Sequence, residues 1–144
     1  MKQRLFIAGL VAAVVTVSLA IPGNAQKKGK TRPLTSSQLM AGLVKPQLVV
    51  LQEGLKEAPN DDDAWKKLAT AAALLNESGH IMMADGRSPD GDIWKDACKI
   101  MDEGTLKMLK LIQKKDAEGA KESIAGITAS CKHCHTEYKY KKKK

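Results

Sequence analysis

The run DAEGAKESIAGITASCKHCHTEY, residues 116–138, decides how this chain folds. Asp116 has the form of a helix N-cap, and Ala117, Ala120, Ile124, Ile127, Cys131 and Cys134 recur at alternating steps of three and four. Such spacing marks one apolar stripe of an amphipathic helix. Two cysteines, one helical turn apart, therefore sit on the inward face of the last helix.

The same period continues upstream. Residues 92–114 place Trp94, Ala97, Cys98, Met101, Thr105, Met108, Leu111 and Ile112 on one side. Before them, Asp85 to Gly91 is dense in turn formers. Residues 62–84 carry Trp65, Leu68, Ala69, Ala72, Leu75, Gly79, Met82 and Met83 inward, behind a turn of Pro59, Asn60 and three aspartates that suit the positive end of a helix. The first helix spans about 36–57, with Leu39, Met40, Leu43, Gln47, Val50, Leu51 and Leu55 inward. Thr35 and Gln38 form a capping box at its start. Pro46, inside it, lacks an N–H and should bend or interrupt the helix.

Aromatic residues are 3% of the 144, and no alternating strand pattern appears. Four helices of similar length on short links predict an all-α, up-down-up-down four-helix bundle. That topology gathers the end of the fourth helix, the start of the first, the end of the second and the start of the third at one end. Cys131, Cys134, His135, Met40, Leu43, His80, Met82, Met83, Trp94 and Cys98 belong to that end.

Residues 1–25 read as an export signal. Lys2 and Arg4 precede an uncharged apolar run from Leu5 to Ile21, and Gly23-Asn24-Ala25 offers small residues for cleavage. A retained anchor is the competing reading, since about 20 apolar residues span a bilayer; Pro22 and the small residues favour cleavage and a periplasmic mature chain with no membrane span. Residues 26–34 are a flexible basic leader, residues 35–140 the helical domain, and residues 141–144 a lysine tail. Removing residues 1–25 takes away Lys2 and Arg4 and no acids, so the formal charge falls from +8 to +6, which still suits an acidic protein partner. Nucleic acid is a poorer fit, because export removes the chain from most of it and no recognition motif accompanies the charge.

Cys131-Lys132-His133-Cys134-His135 has the spacing of covalent haem attachment. One turn of helix sets two thiols a short distance apart, where they can add across two vinyl groups of one macrocycle. The next residue, His135, is then carried under the ring as proximal iron ligand. A Cys131–Cys134 disulfide would leave His135 without a role, and a zinc site would need ligands that are scattered elsewhere. His133 reads as exposed filler. Cys98 faces inward and reads as a buried core thiol.

Four helices with this motif near the end of the last one resemble the cytochrome c-prime family, the class II c-type cytochromes. The resemblance covers about residues 35–140, and the run from Cys131 to Lys139 is similar to the family pattern of an aromatic and a basic residue behind the haem histidine. It implies one covalent haem c. Pro46 and the loop from Asp85 to Gly91 depart from the pattern. Family members with a methionine from the first helix at the sixth iron position resemble electron carriers, and Met40 lies at the matching place. Members with that position open bind gases such as nitric oxide and carbon monoxide.

By itself Met40 could equally fill a core gap. Met82 and Met83 are rivals that read better as walls of the haem pocket, and His80 reads as a surface residue. Trp94 and Tyr138 would offer apolar area to the macrocycle. No distal His/Arg pair stands out for peroxidase chemistry, although His80 and Arg87 are near in sequence, so the chain reads as a carrier and not an enzyme. The lysines after the fourth helix could steer an acidic redox partner to the haem edge. The resemblance also leaves homodimer formation through two helices open.

Overall fold

The computed structural model describes residues 28–89 and 91–138. The export segment 1–25 and the lysine tail lie outside the described residues. Four helices make up most of the described residues.

Helix α1 occupies residues 36–54 in three parts: α-helical over Ser36–Leu39, π-helical over Met40–Val44, and α-helical again over Lys45–Gly54. Its start is closed by the predicted box. The Gln38 N–H donates to Thr35 Oγ1 at 3.2 Å while the Thr35 N–H donates to Gln38 Oε1 at 2.9 Å. The interruption expected at Pro46 takes the form of the π turn just upstream, where the Lys45 N–H donates to the Met40 carbonyl five residues back. That extra residue shifts the inward face. Leu39 and Val44, five apart, are both buried, whereas Leu43, Gln47 and Val50, expected inward, are only half-buried.

Helix α2 is Asp62–Met83, capped by Asp61, whose carboxylate accepts from the Ala64 N–H at 2.7 Å. Asp62 and Asp63 stand in its first turn, where the helix dipole favours them. Helix α3 is Asp92–Gln113 and helix α4 is Ala117–Tyr138. The link between them is a tight reversal. Lys115 adopts φ 57°, its N–H donates to the Ile112 carbonyl at 2.9 Å, and the Asp116 N–H reaches Leu111 at 3.0 Å. This is the paired bonding of a Schellman C-cap. Asp116 then starts α4 by accepting from the Gly119 N–H at 2.9 Å.

Consecutive helices pack antiparallel around a shared core of Leu51, Leu68, Ala72, Leu75, Met108 and Ile127. Missing side chains bring α3 close to both neighbours. A Cβ on Gly79 would lie 3.3 Å from Met101, and one on Gly104 would lie 3.2 Å from Ile127. Asn76 ties α2 to α3 by donating to Asp102 Oδ1 at 2.6 Å and Thr105 Oγ1 at 3.0 Å. At one end Lys115 pairs with Asp62 at 2.7 Å; at the other the Trp94 indole donates to the Met82 carbonyl at 3.2 Å. Among the described residues no helix is long and apolar enough to cross a membrane.

Within the leader, residues 30–32 bond to the turn that follows α2. The Thr31 and Arg32 N–H groups donate to the Asp85 carboxylate at 3.0 and 2.9 Å, and the Lys30 N–H donates to the Asp85 carbonyl at 2.9 Å. Arg87, 1% exposed, lies beneath and donates to the carbonyls of Leu34 and Ile81 at 3.3 and 3.4 Å. Gly29 fits there because a Cβ would run into both Asp85 and Arg87. An aperiodic segment needs no helix to be ordered when side chains satisfy its backbone groups. The Arg32 N–H foremost, then Thr31 and the Arg87 charge, hold the Asp85 carboxyl below its ordinary value.

Candidate functional site

Helices α1 and α4 do not close on one another at the end where α1 begins. Between them lies an open, apolar slot of about 400 Å³. The α1 wall is Met40, Ala41, Val44 and Leu48, with Ser36, Ser37 and Lys45 beside them; the α4 wall is Cys131, Cys134, His135 and Tyr138. Trp94 of α3 forms the back. A smaller space of about 30 Å³ continues inward to Met82, Ala97, Cys98, Met101 and Ser130.

Local sequence explains the placement of each group. Steps of three and one along α4 put Cys131, Cys134 and His135 on the side facing α1. The π turn carries Met40 to the opposing wall. Trp94, buried in the first turn of α3, stacks edge-to-face with Tyr138, ring centroids 5.5 Å apart and planes at 80°. This pair gives the slot an aromatic wall.

All four residues singled out as cofactor ligands, Cys131, Cys134, His135 and Met40, therefore line one cavity. Trp94 and Tyr138 line it as well, Cys98 is buried next to it, and His133 is exposed. Other expectations need correction. Met82 walls the inner space, beside Met40, Cys131, Cys134 and His135, whereas Met83, read as a second wall, is 37% exposed, because α2 turns only one of two adjacent residues toward the core. Leu43 lines neither space, since the π turn rotates it off the inner face. The His80 side chain is 63% exposed and lies 3.3 Å from Asp102, as a surface residue would. Arg87 is held beneath the leader, so His80 and Arg87 form no pair at the slot.

Cys98, Cys131 and Cys134 are free thiols. Burial, with Cys134 adding to it, pushes the Cys98 thiol up to about 12; burial, with Cys131 adding to it, pushes Cys134 up to about 11. At neutral pH both are in the weakly nucleophilic neutral form. Among the described residues no three His, Cys, Asp or Glu side chains gather to hold a metal ion.

Ala41, Lys45 and Leu48 were not singled out by sequence, although with Met40 as anchor they follow at steps near one helical turn. Ser130 was missed for another reason. A hydroxyl on an apolar stripe looks like a surface residue, yet it is buried because it donates to the Ile127 carbonyl of its own helix at 2.7 Å.

The chain matches no family model, no curated protein and no solved structure.

Proposed function

We propose that this chain is an exported mono-haem c-type cytochrome, similar to the cytochrome c-prime class, that acts as a one-electron carrier. Cys131 and Cys134 would hold the haem through thioether links, and His135 and Met40 would ligate its iron. The observation that supports this most is the slot itself: two thiols and an imidazole on one wall face a thioether on the other. The residues fit the group in size, polarity and donor chemistry. A cavity of about 400 Å³ is in the range of cofactor sites, its lining is largely apolar, and both thiols open onto it.

When bound, haem supplies a ferric/ferrous couple. The protein does the rest. Cys131 and Cys134 fix one edge of the group to a rigid helix. His135, the next residue on that helix, presents its imidazole from the same wall. Met40 offers a neutral, polarizable sulfur that favours ferrous iron and so raises the potential. Trp94, Tyr138, Val44 and Leu48 surround the site with apolar surface, and Lys45 brings a cation beside it, suited to carboxylates. The open side between α1 and α4 leaves an edge accessible to a partner. The positive charge of the chain suits an acidic redox protein, with association that weakens as salt rises.

The test is an absorption spectrum of protein matured in a host that attaches c-type haem, recorded oxidised, reduced and with carbon monoxide. A low-spin spectrum with a methionine-to-iron band, unmoved by carbon monoxide, is expected. Met40→Ala should turn high-spin and bind carbon monoxide. A wild type that is already high-spin would replace the carrier reading with a five-coordinate gas-binding one, and absence of covalent haem would end both.

A further inference from the structure

Pro46 is exposed and lines neither cavity, yet it stands where α1 changes type. It has no N–H to offer the Gly42 carbonyl four residues back, and in a regular helix its ring would crowd that carbonyl. The backbone answers by pairing the Lys45 N–H with Met40, one residue further back, which makes the π turn Met40–Val44. Such single turns are rare inside α-helices and concentrate at functional positions. We propose that Pro46 is a positioning residue: the π turn it forces directs the Met40 thioether into the slot, and thereby determines whether the iron keeps a sixth ligand. This rests on the haem reading above.

The geometry follows from the helical period. Beyond the turn, Val44, Leu48, Leu51 and Leu55 share one face, and core packing fixes that face. At the other end, the capping box and the clasp on Asp85 hold the beginning of α1. A regular α-helix run backward from Val44, at about 100° per residue, would place Leu39 about 140° away from it. Leu39 would leave the core, Met40 would swing toward α2, and Ala41 would stand at the slot. Alanine cannot ligate iron. With the π turn, Leu39 and Val44 are both buried and Met40 lines the slot.

This reasoning also yields a rescue. Removing one residue from the turn lets a regular helix restore the original phase, and Gly42 is the one to remove, because a Cβ built on it meets nothing within 4 Å. The experiment compares wild type, Pro46→Ala and Pro46→Ala combined with deletion of Gly42, each matured with covalent haem and checked for helix content by far-ultraviolet circular dichroism.

Pro46→Ala is expected to keep its haem and helix content but lose most of the methionine-to-iron band, gain carbon monoxide binding and show a lower reduction potential. The double variant is expected to regain the band. A Pro46→Ala protein with the full wild-type band would overturn the proposal, as would a folded double variant that stays high-spin. A wild type lacking the band would instead overturn the Met40 reading on which the proposal stands, so the two failures are told apart by the first spectrum.

Discussion

Helix α4 meets its two neighbours in opposite ways. Against α3 it comes so close that a single Cβ on Gly104 would press on Ile127, while against α1 it leaves a slot of about 400 Å³. Protein interiors ordinarily pack without voids of that size. The bundle is thus closed between α3 and α4 and open between α1 and α4 at one end, while α1 stays packed on α2 through Leu51 and Leu55. The α3–α4 side is close-packed, and the α1–α4 side leaves apolar residues lining an open slot.

Substitutions that remove apolar volume should tell the two sides apart. At the closed interface, Ile127→Ala is expected to destabilise by about 2–5 kcal/mol, because the buried site cannot collapse. The loss should appear in chemical denaturation whether or not haem is attached. At the open interface, Leu48→Ala is expected to cost about 0.5 kcal/mol or less when measured in a Cys131→Ala/Cys134→Ala background, which should carry no covalent haem. In loaded protein the same change should cost more. Equal losses at Ile127 and Leu48 without haem would mean the slot is an ordinary core.

A smaller effect of opposite sign belongs to the solvent side of α4. Gly126 is helical and meets nothing within 4 Å of an added Cβ, so Gly126→Ala is expected to stabilise by about 0.5–1 kcal/mol through lower backbone entropy in the unfolded chain. Thermal denaturation would show a raised midpoint, with the haem spectrum unchanged.

Much of this division is legible in the sequence. The inward residues of α3 are nearly those its period names, because that helix is unbroken from Asp92 to Gln113 and packs against both α2 and α4. On α4 the period names Cys131 and Cys134 as inward but cannot say that inward means a slot and not a core; only the motif read through chemistry suggests that. The first helix is where the period misleads. Pro46 announces an interruption, but a missing N–H does not reveal that the repair is a π turn, and so Leu43 and Val44 exchange places. The clasp of Arg87 and Asp85 on the leader was hidden altogether, since it depends on side chain to backbone bonds between segments more than fifty residues apart.

That clasp gives the subtlest way to separate the two sides. Asp85 accepts hydrogen bonds from the segment leading into α1, one wall of the slot. Its carboxyl is held below the ordinary 3.8, chiefly by the Arg32 N–H, so folding favours the charged form. The stabilisation is therefore fully present above pH 3.8 and is lost as pH falls through the lower, folded-state value. Amide hydrogen exchange at Thr31 and Arg32, corrected for its intrinsic pH dependence, should accelerate over that acid range while amides around Ile127 keep their protection. Asp85→Asn, which keeps one acceptor oxygen but loses the charge, should show faster exchange at the two leader amides already at neutral pH. If instead both sides of α4 loosened together in acid, α1 would be an integral part of one cooperative core and not a wall that can move on its own.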